Sequence, residues 1–330
     1  MIKLGLIGCG WVSSFYGQAT MQMAGRVGWA WAADADKGRA ERFCAQFGGQ
    51  AFASYRDAPT PDAYVIATPH HLHAPIYLDI ADRGRPVLIE KPLALTLEEC
   101  DHMIAARDAA GSILMVGYVN RYRPGPQAMK AAVDRGEIGT PLFGDYSQLG
   151  DQEGYVGGWI LKRATLGGGC FFSSAGHILD LAMWLQGRTK RVRVETAHFR
   201  LPMEGEDTAL ATVAFENGQL ATLRESWCAR GADAWQRFTL YGTGGSIEMT
   251  YTPRGPVPEW GTCLWDTKLV LRTAGRTQTL LESAAPFEFA GQFNHFIDCI
   301  ENNRRPLTDA ESGREVIRLI REAEARANEA

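Results

Sequence analysis

The chain has 330 residues, of which 45% are hydrophobic and 22% charged, with a formal net charge of −4. That length supports two domains with substantial cores, and the mixed, slightly acidic charge gives no electrostatic basis for a nucleic-acid partner. No apolar run is long enough for a bilayer, the opening Met1-Ile2-Lys3 lacks the layout of a signal peptide, and seven scattered cysteines without a CxxC pair fit reduced thiols in a cytoplasmic protein.

Ile2 to Ile7 reads as a strand running into the turn Gly8-Cys9-Gly10, after which Trp11, Val12 and Ser13 begin a helical pattern. Gly8 can turn the chain, and Gly10 leaves no Cβ where a diphosphate would approach the backbone. The N–H groups and dipole of the new helix would favour that charge. Val27 to Ala33 reads as a second buried strand ending at Asp34. There a carboxylate can accept hydrogen bonds from adenosine ribose hydroxyls; a helix-capping aspartate is the plainer alternative. Asp34 would repel a 2′-phosphate and so favours NAD, while Lys37 and Arg39 keep NADP open.

A helix over Lys37–Phe47, a turn at Tyr55–Ala58 and a strand over Ala63–Ala67 follow. The strand ends in Thr68-Pro69-His70-His71-Leu72-His73, at the end of an open parallel sheet where ligands bind. No cysteine or carboxylate joins the three histidines at a metal-ligand spacing, so no metal is expected. Pro75–Asp82 is helical, and Val87–Ile89 is a strand leading straight into Glu90-Lys91-Pro92. Thr96 and Glu99 make a capping box for a helix closed by Gly111, and Ile113–Val116 is the next strand. The alternation predicts a parallel sheet with helices on both faces.

The character changes at Tyr118-Val119-Asn120-Arg121-Tyr122-Arg123-Pro124, which crosses into a helix over Pro126–Arg135. From Leu142 onward apolar and polar residues alternate, as in an antiparallel sheet with one solvated face. Its strands include Arg191–Ala197, Asp207–Phe215, Gln219–Trp227 and Arg237–Tyr241, with Asn217-Gly218 as a two-residue hairpin turn. Gly167-Gly168-Gly169 precedes an amphipathic helical stretch, Cys170–Leu185, carrying His177 and Asp180. Helices over Phe287–Glu301 and Ala310–Ala327 close the chain. The division expected is a dinucleotide-binding domain over residues 1–120 and a substrate-binding, oligomerising domain over 121–330.

Lys91 follows a buried strand and precedes a stiffening proline, at the ligand end of the sheet. Its ammonium can stabilise a developing alkoxide or polarise a carbonyl, unless it is a loop lysine facing solvent. The backbone of Glu90 could line a nicotinamide while its carboxylate makes a structural pair. In a helix, His177 shares a face with Ser173, Ser174 and Asp180, and its ordinary pKa suits a proton acceptor near neutrality; a satisfied core histidine is the alternative. Ser173 could orient substrate or imidazole. Asp180 could hold the imidazolium or equally anchor the helix. Tyr118, Asn120, Tyr155, Trp159 and Lys162 could shape a sugar site or pack at a domain boundary.

Taken together, Gly8-Cys9-Gly10, Asp34, Thr68-Pro69 with His73, Glu90-Lys91-Pro92, Gly117 with Arg121 and Pro124, Gly167-Gly168-Gly169 with His177 and Asp180, and Phe296-Ile297-Asp298 leading to Arg305-Pro306-Leu307 resemble the Gfo/Idh/MocA family. The resemblance implies an α/β protein: an N-terminal Rossmann domain and a C-terminal α/β domain with a large, mostly antiparallel open sheet, which often forms a dimer or tetramer interface. It implies NAD(P)-dependent oxidation or reduction of a sugar, cyclitol or related polyol, with Lys91 and His177 as catalytic residues. The cofactor would lie against Gly8, Cys9, Gly10, Trp11, Val12 and Asp34, and against Thr68, Pro69, His73, Glu90 and Lys91. Substrate would meet Asn120, Arg121, Tyr155, Trp159, Lys162, Ser173 and Asp180. Three departures from the family pattern point to altered substrate or proton handling: Ser173 stands where an aspartate is common, Ala175 replaces a glycine, and Asn120 replaces an arginine. A non-catalytic sugar- or dinucleotide-sensing protein on the same fold is the alternative.

Overall fold

The structure is a computed structural model of the chain, and it describes residues 1–255, 263–286 and 289–327. Those residues form two compact units, 1–119 with 289–315, and 120–255 with 263–286 and 316–327.

The first unit opens with β1 (Ile2–Ile7), α1 (Ser13–Met21), β2 (Val27–Ala33), α2 (Lys37–Phe47) and β3 (Gln50–Phe52). It continues through β4 (Ala63–Ile66), α3 (His73–Ile80), β5 (Val87–Ile89), α4 (Leu97–Ala110) and β6 (Leu114–Val116). The six strands are all parallel, in the order β3-β2-β1-β4-β5-β6. Continuous apolar strands such as Leu4 to Ile7 and Ala63 to Ile66 fit this sheet, because helices cover both faces. Strand order reverses between β1 and β4, which opens a crevice beyond their carboxyl ends. Short β3 was not anticipated: three half-exposed residues carry too little periodicity to read. The capping box at Thr96 and Glu99 forms, and Gly111 ends α4 in the left-handed region at φ 58°.

The second unit contains α5 (Pro124–Asp134), β7 (Pro141–Leu149), α6 (Arg163–Leu166), α7 (Cys170–Ser173) and α8 (Ala175–Gln186). Then come β8 (Thr189–Ala197), β9 (Thr208–Phe215), β10 (Leu220–Ser226), β11 (Gln236–Gly242), β12 (Gly245–Pro253), β13 (Leu264–Thr273) and β14 (Arg276–Pro286). The eight strands lie in the order β14-β13-β12-β11-β7-β10-β9-β8, antiparallel except for the parallel pair β7–β10. Helices α5, α7 and α8 cover one face, where Tyr146, Gln148, Leu223 and Phe238 are buried. The other face leaves Phe143, Leu210, Leu220 and Tyr241 exposed. The chain then returns to the first unit through α9 (Ala290–Asn302) and ends in α10 (Ala310–Ala327). Phe287, read as the start of α9, lies outside the described residues.

Two local expectations need correction. The stretch Cys170–Leu185 is not one helix but α7 and α8, separated at Ser174. The β9–β10 hairpin closes with three residues rather than two. The Gly218 N–H donates to the Phe215 carbonyl, Gly218 has φ +86°, and Phe215 N–H donates to Gln219 O. Glu216 and Asn217 are therefore the central turn residues, and glycine takes the left-handed third place.

Candidate active site

In the first unit the turn after β1 is built by sterics. Gly8 has φ +94°, and a Cβ there would stand 2.6 Å from the Ala67 carbonyl oxygen at the end of β4. A Cβ on Gly10 would meet nothing within 4 Å, so the space above the turn is open to a diphosphate. The third glycine of the usual pattern is Ser13, fully buried, whose hydroxyl donates to Gly10 O at 2.6 Å. Close helix packing falls instead to Gly17, where a Cβ would lie 2.4 Å from the Phe47 ring of α2. Val12 precedes the first residue of α1, and Trp11 packs edge-on against Phe15 with centroids 4.9 Å apart.

Asp34 sits at the end of β2, where one carboxylate oxygen accepts the Cys9 N–H at 2.7 Å and the other the Asp36 N–H at 2.9 Å. Both bonds hold the carboxylate beside the glycine turn. Cys9, Gly10, Trp11, Asp36, Gly38, Arg39 and Arg42 line a cleft of about 470 Å³ there. Burial, with Asp34 alongside, pushes the Cys9 thiol up, so it stays a neutral packing group. Thr68, whose methyl borders Gly8, has a buried hydroxyl with no hydrogen-bond partner among the described residues. Open space over Gly10, a fixed carboxylate and an orphaned hydroxyl beside the turn together fit a dinucleotide.

Glu90 and Lys91 follow β5. One Glu90 oxygen accepts the Tyr16 hydroxyl at 2.6 Å and the other the Lys91 N–H at 3.1 Å, while Gln292 of α9 donates to the Tyr16 oxygen at 3.1 Å. Burial pushes the Glu90 carboxyl up, opposed by the Tyr16 hydroxyl and Lys91. Gly117 leaves room for that carboxylate, since a Cβ there would lie 3.1 Å from Glu90 Oε2. Tyr16 stands one turn into the helix that begins at the cofactor turn, so α1 and the Lys91 loop are joined by one buried bond. Pro69 opens a short 3-10 turn, His70–Leu72, and His73 follows it, fully buried. The His73 ring bridges two carbonyls, with Nδ1 2.7 Å from Pro92 O and Nε2 3.0 Å from Thr68 O. Burial lowers its pKa to about 4 against the pull of the two carbonyls, so the ring is neutral and its single N–H can donate to only one of them, propping the chain between Thr68 and Pro92.

In the second unit Arg121 and Asp180 are buried together. Asp180 accepts Arg121 Nε at 2.8 Å on one oxygen and Nη2 at 2.6 Å on the other. Of the two roles open for Asp180 in the sequence, anchoring α8 is the one this geometry supports. His177 lies in the first turn of α8, its N–H donating to Ser174 O at 3.0 Å. Ser173 closes α7, buried, with its N–H on Gly169 O. The triple glycine packs tightly: a Cβ on Gly169 would stand 2.2 Å from Glu206 O, and the Glu206 carboxylate accepts the Gly169 and Phe171 N–H groups at 3.1 Å each.

Asn120 is buried, its oxygen accepting Arg123 Nη1 at 2.9 Å. The guanidinium only donates, so this contact turns the Asn120 amide nitrogen away from it. Tyr155, 46% exposed, packs edge-on against buried Trp227 at 6.2 Å, and Trp227 Nε1 donates to Ser174 Oγ at 2.7 Å. Lys162 is exposed and paired with Glu204 at 2.8 Å. Trp159 is partly buried, its carbonyl accepting the Thr165 hydroxyl. Within this unit Arg121, Asp180, His177, Ser173 and Tyr155 thus converge on α8 and the turn before it, whereas Lys162 is engaged elsewhere. Tyr16, Gln292 and Glu225 were missed: each acts through a partner too distant in sequence for spacing to reveal. Glu225 alone left a trace, a charge within the alternating apolar run of β10.

Two family models match the chain, an oxidoreductase family with an NAD-binding Rossmann fold over residues 2–118 and the GFO/IDH/MocA C-terminal domain over 127–248. The chain is 29% identical to the 1,5-anhydro-D-fructose reductase of Ensifer adhaerens, covering 77% of this chain and 74% of that one. It is 25% identical to the scyllo-inositol 2-dehydrogenase (NAD(+)) of Bacillus subtilis, covering 82% and 78%. Among solved structures, the WlbA dehydrogenase of Bordetella pertussis, in complex with NADH and UDP-GlcNAcA, shares the fold at a TM-score of 0.80 and 24% identity, covering 99% and 96%.

Proposed function

Since the chain belongs to the Gfo/Idh/MocA oxidoreductase family, we propose that it is a dehydrogenase or reductase moving a hydride between NAD and a sugar, cyclitol or related polyol. The observation that carries this reading is the first unit's open glycine turn backed by Asp34, with Lys91 on a loop tied by Glu90 to the same helix. Its curated relatives, an anhydrofructose reductase and an inositol dehydrogenase, set the substrate class.

When bound, the nicotinamide supplies a hydride acceptor or donor. Gly8 to Val12 and Asp34 would hold the dinucleotide, with Thr68, Pro69 and the backbone of Glu90 beside it, while His73 supports the loop. His177 takes the hydroxyl proton during oxidation and returns it during reduction. Lys91 stabilises the negative charge that forms on the substrate oxygen. Asn120 and Tyr155 contact the substrate, Ser173 orients it, and Arg121 with Asp180 fixes the helix carrying the base. The free state of all seven cysteines fits a reducing, cytoplasmic setting. A second copy of the chain covers the solvent face of the eight-stranded sheet.

Asp34 favours NAD, because a 2′-phosphate near its carboxylate would be repelled, although Arg39 and Arg42 share the cleft. Titration of purified protein with NADH and NADPH, followed by turnover with a polyol panel, tests both parts. NADH is expected to bind more tightly, and Asp34→Ala to reduce that preference. Equal or tighter NADPH binding by the unaltered chain would overturn the preference; turnover with no polyol, and reduction of no corresponding ketone, would overturn the activity.

A further inference from the structure

A carboxylate stands where the pattern of β10 calls for an apolar residue. Ala221, Leu223, Glu225 and then Trp227 are all buried, and Glu225 is only 1% exposed. Its Oε1 accepts the Ser174 hydroxyl at 2.7 Å and the Gln148 amide at 3.2 Å, both neutral donors. The same Ser174 oxygen receives Trp227 Nε1 at 2.7 Å. Ser174 is the break between α7 and α8, and its carbonyl accepts the His177 N–H. The turn carrying His177 therefore hangs on a hydroxyl gripped by Glu225 and Trp227. Asp180, one turn further along, already has both oxygens on Arg121.

We propose that Glu225 is a positioning residue for His177, fixing its turn through Ser174 and favouring, by its negative charge, the protonated imidazole. This rests on reading His177 as the proton acceptor. Other titratable or charged groups packed around the turn are the Arg121–Asp180 pair, Cys170 of α7, Glu206 and Asp207 before β9, and Arg321 with Glu324 on α10. Arg123 lies at the far end of the relay through Gln148 and Gln236. Burial, with Glu225 beside it, pushes the Cys170 thiol well up, so that group contributes no charge. An opposite charge within about 4–6 Å shifts a titration by about 1–3 units; Glu225 acts through Ser174 and not on the ring itself, so the shift assigned to it is smaller, roughly half a unit to one unit.

The test is an NMR titration of the His177 ring in the full chain without substrate, its signal identified by loss in His177→Asn. Glu225→Gln, which keeps the shape and the acceptor for Ser174, should lower the His177 midpoint by roughly half a unit to one unit. If Glu225→Gln does not fold, Ser174→Ala keeps the charge but cuts the link, and should lower the midpoint by less. An unchanged midpoint in a folded variant overturns the proposal. In turnover, the acidic limb of kcat/KM should move with the midpoint while NADH affinity stays at the wild-type value. A lowered midpoint in a chain that turns over no polyol would sustain the role of Glu225 and count against the oxidoreductase reading.

Discussion

At the scale of single residues, Lys91 and His177 are expected to fail in different ways. In the proposed reaction Lys91 supplies charge to the transition state, and losing such a donor costs about 100- to 1,000-fold in kcat. His177 is proposed to move the proton, a contribution of about 10²–10⁴-fold. Lys91→Ala and His177→Ala should each lower kcat at least about 100-fold. NADH dissociation constants should stay close to wild type. Ser173→Ala should cost less if, as proposed, its hydroxyl only orients the substrate. Wild-type turnover in His177→Ala across the pH range would move the proton to another group. As candidates these residues stand out in the sequence because each is marked by its own backbone: a strand end, a proline, a run of glycines. Glu225 and Tyr16 do not, because their meaning lies in partners 51 and 74 residues away.

The scale of elements shows why α8 sits where it does. Its only acid, Asp180, is fully buried, and a buried carboxylate needs a partner to offset its desolvation. Arg121 meets that need with two hydrogen bonds. Arg121→Met should therefore destabilise the chain by about 3–5 kcal/mol in urea unfolding, by removing the guanidinium that offsets the buried Asp180 charge. Adding Asp180→Leu should recover most of that loss. A loss under about 1 kcal/mol for Arg121→Met would mean that the pair does not anchor the helix. In the sequence, helix and strand periods placed most elements to within a few residues, including the capping box at Thr96. The division of α7 from α8 was invisible, since the apolar period runs through Ser174 unbroken and only the grip of Glu225 and Trp227 on its hydroxyl marks the site. The hairpin was misjudged for a related reason: Asn-Gly signals a turn but does not say which residues are central.

At the scale of the whole molecule, the solvent face of the eight-stranded sheet bears on assembly. Alternation of apolar and polar residues predicts this solvated face, and its composition is mixed. Phe143 pairs with Leu220 and Tyr241 on neighbouring strands, the Phe143 and Tyr241 rings stack at 4.6 Å, and Leu210 lies opposite Arg224. Exposures of 47%, 57%, 38% and 54% for Phe143, Leu220, Tyr241 and Leu210 put large apolar side chains in water across four adjacent strands. Beside them Asp145 accepts from Thr222 at 2.7 Å and from Arg224 at 2.9 Å, satisfying the polar groups among themselves. An apolar row edged by internally paired polar groups can meet a second copy of itself about a twofold axis without stranding a charge. Sedimentation at micromolar concentration should therefore give a dimer or tetramer. Phe143→Glu or Leu220→Glu should shift it toward monomer, since either would bury a charge within the apolar contact. Cofactor affinity should not change, because neither residue belongs to the Rossmann unit. A chain that sediments only as monomer over that range, or glutamate variants that assemble as well as wild type, would remove this face as the interface.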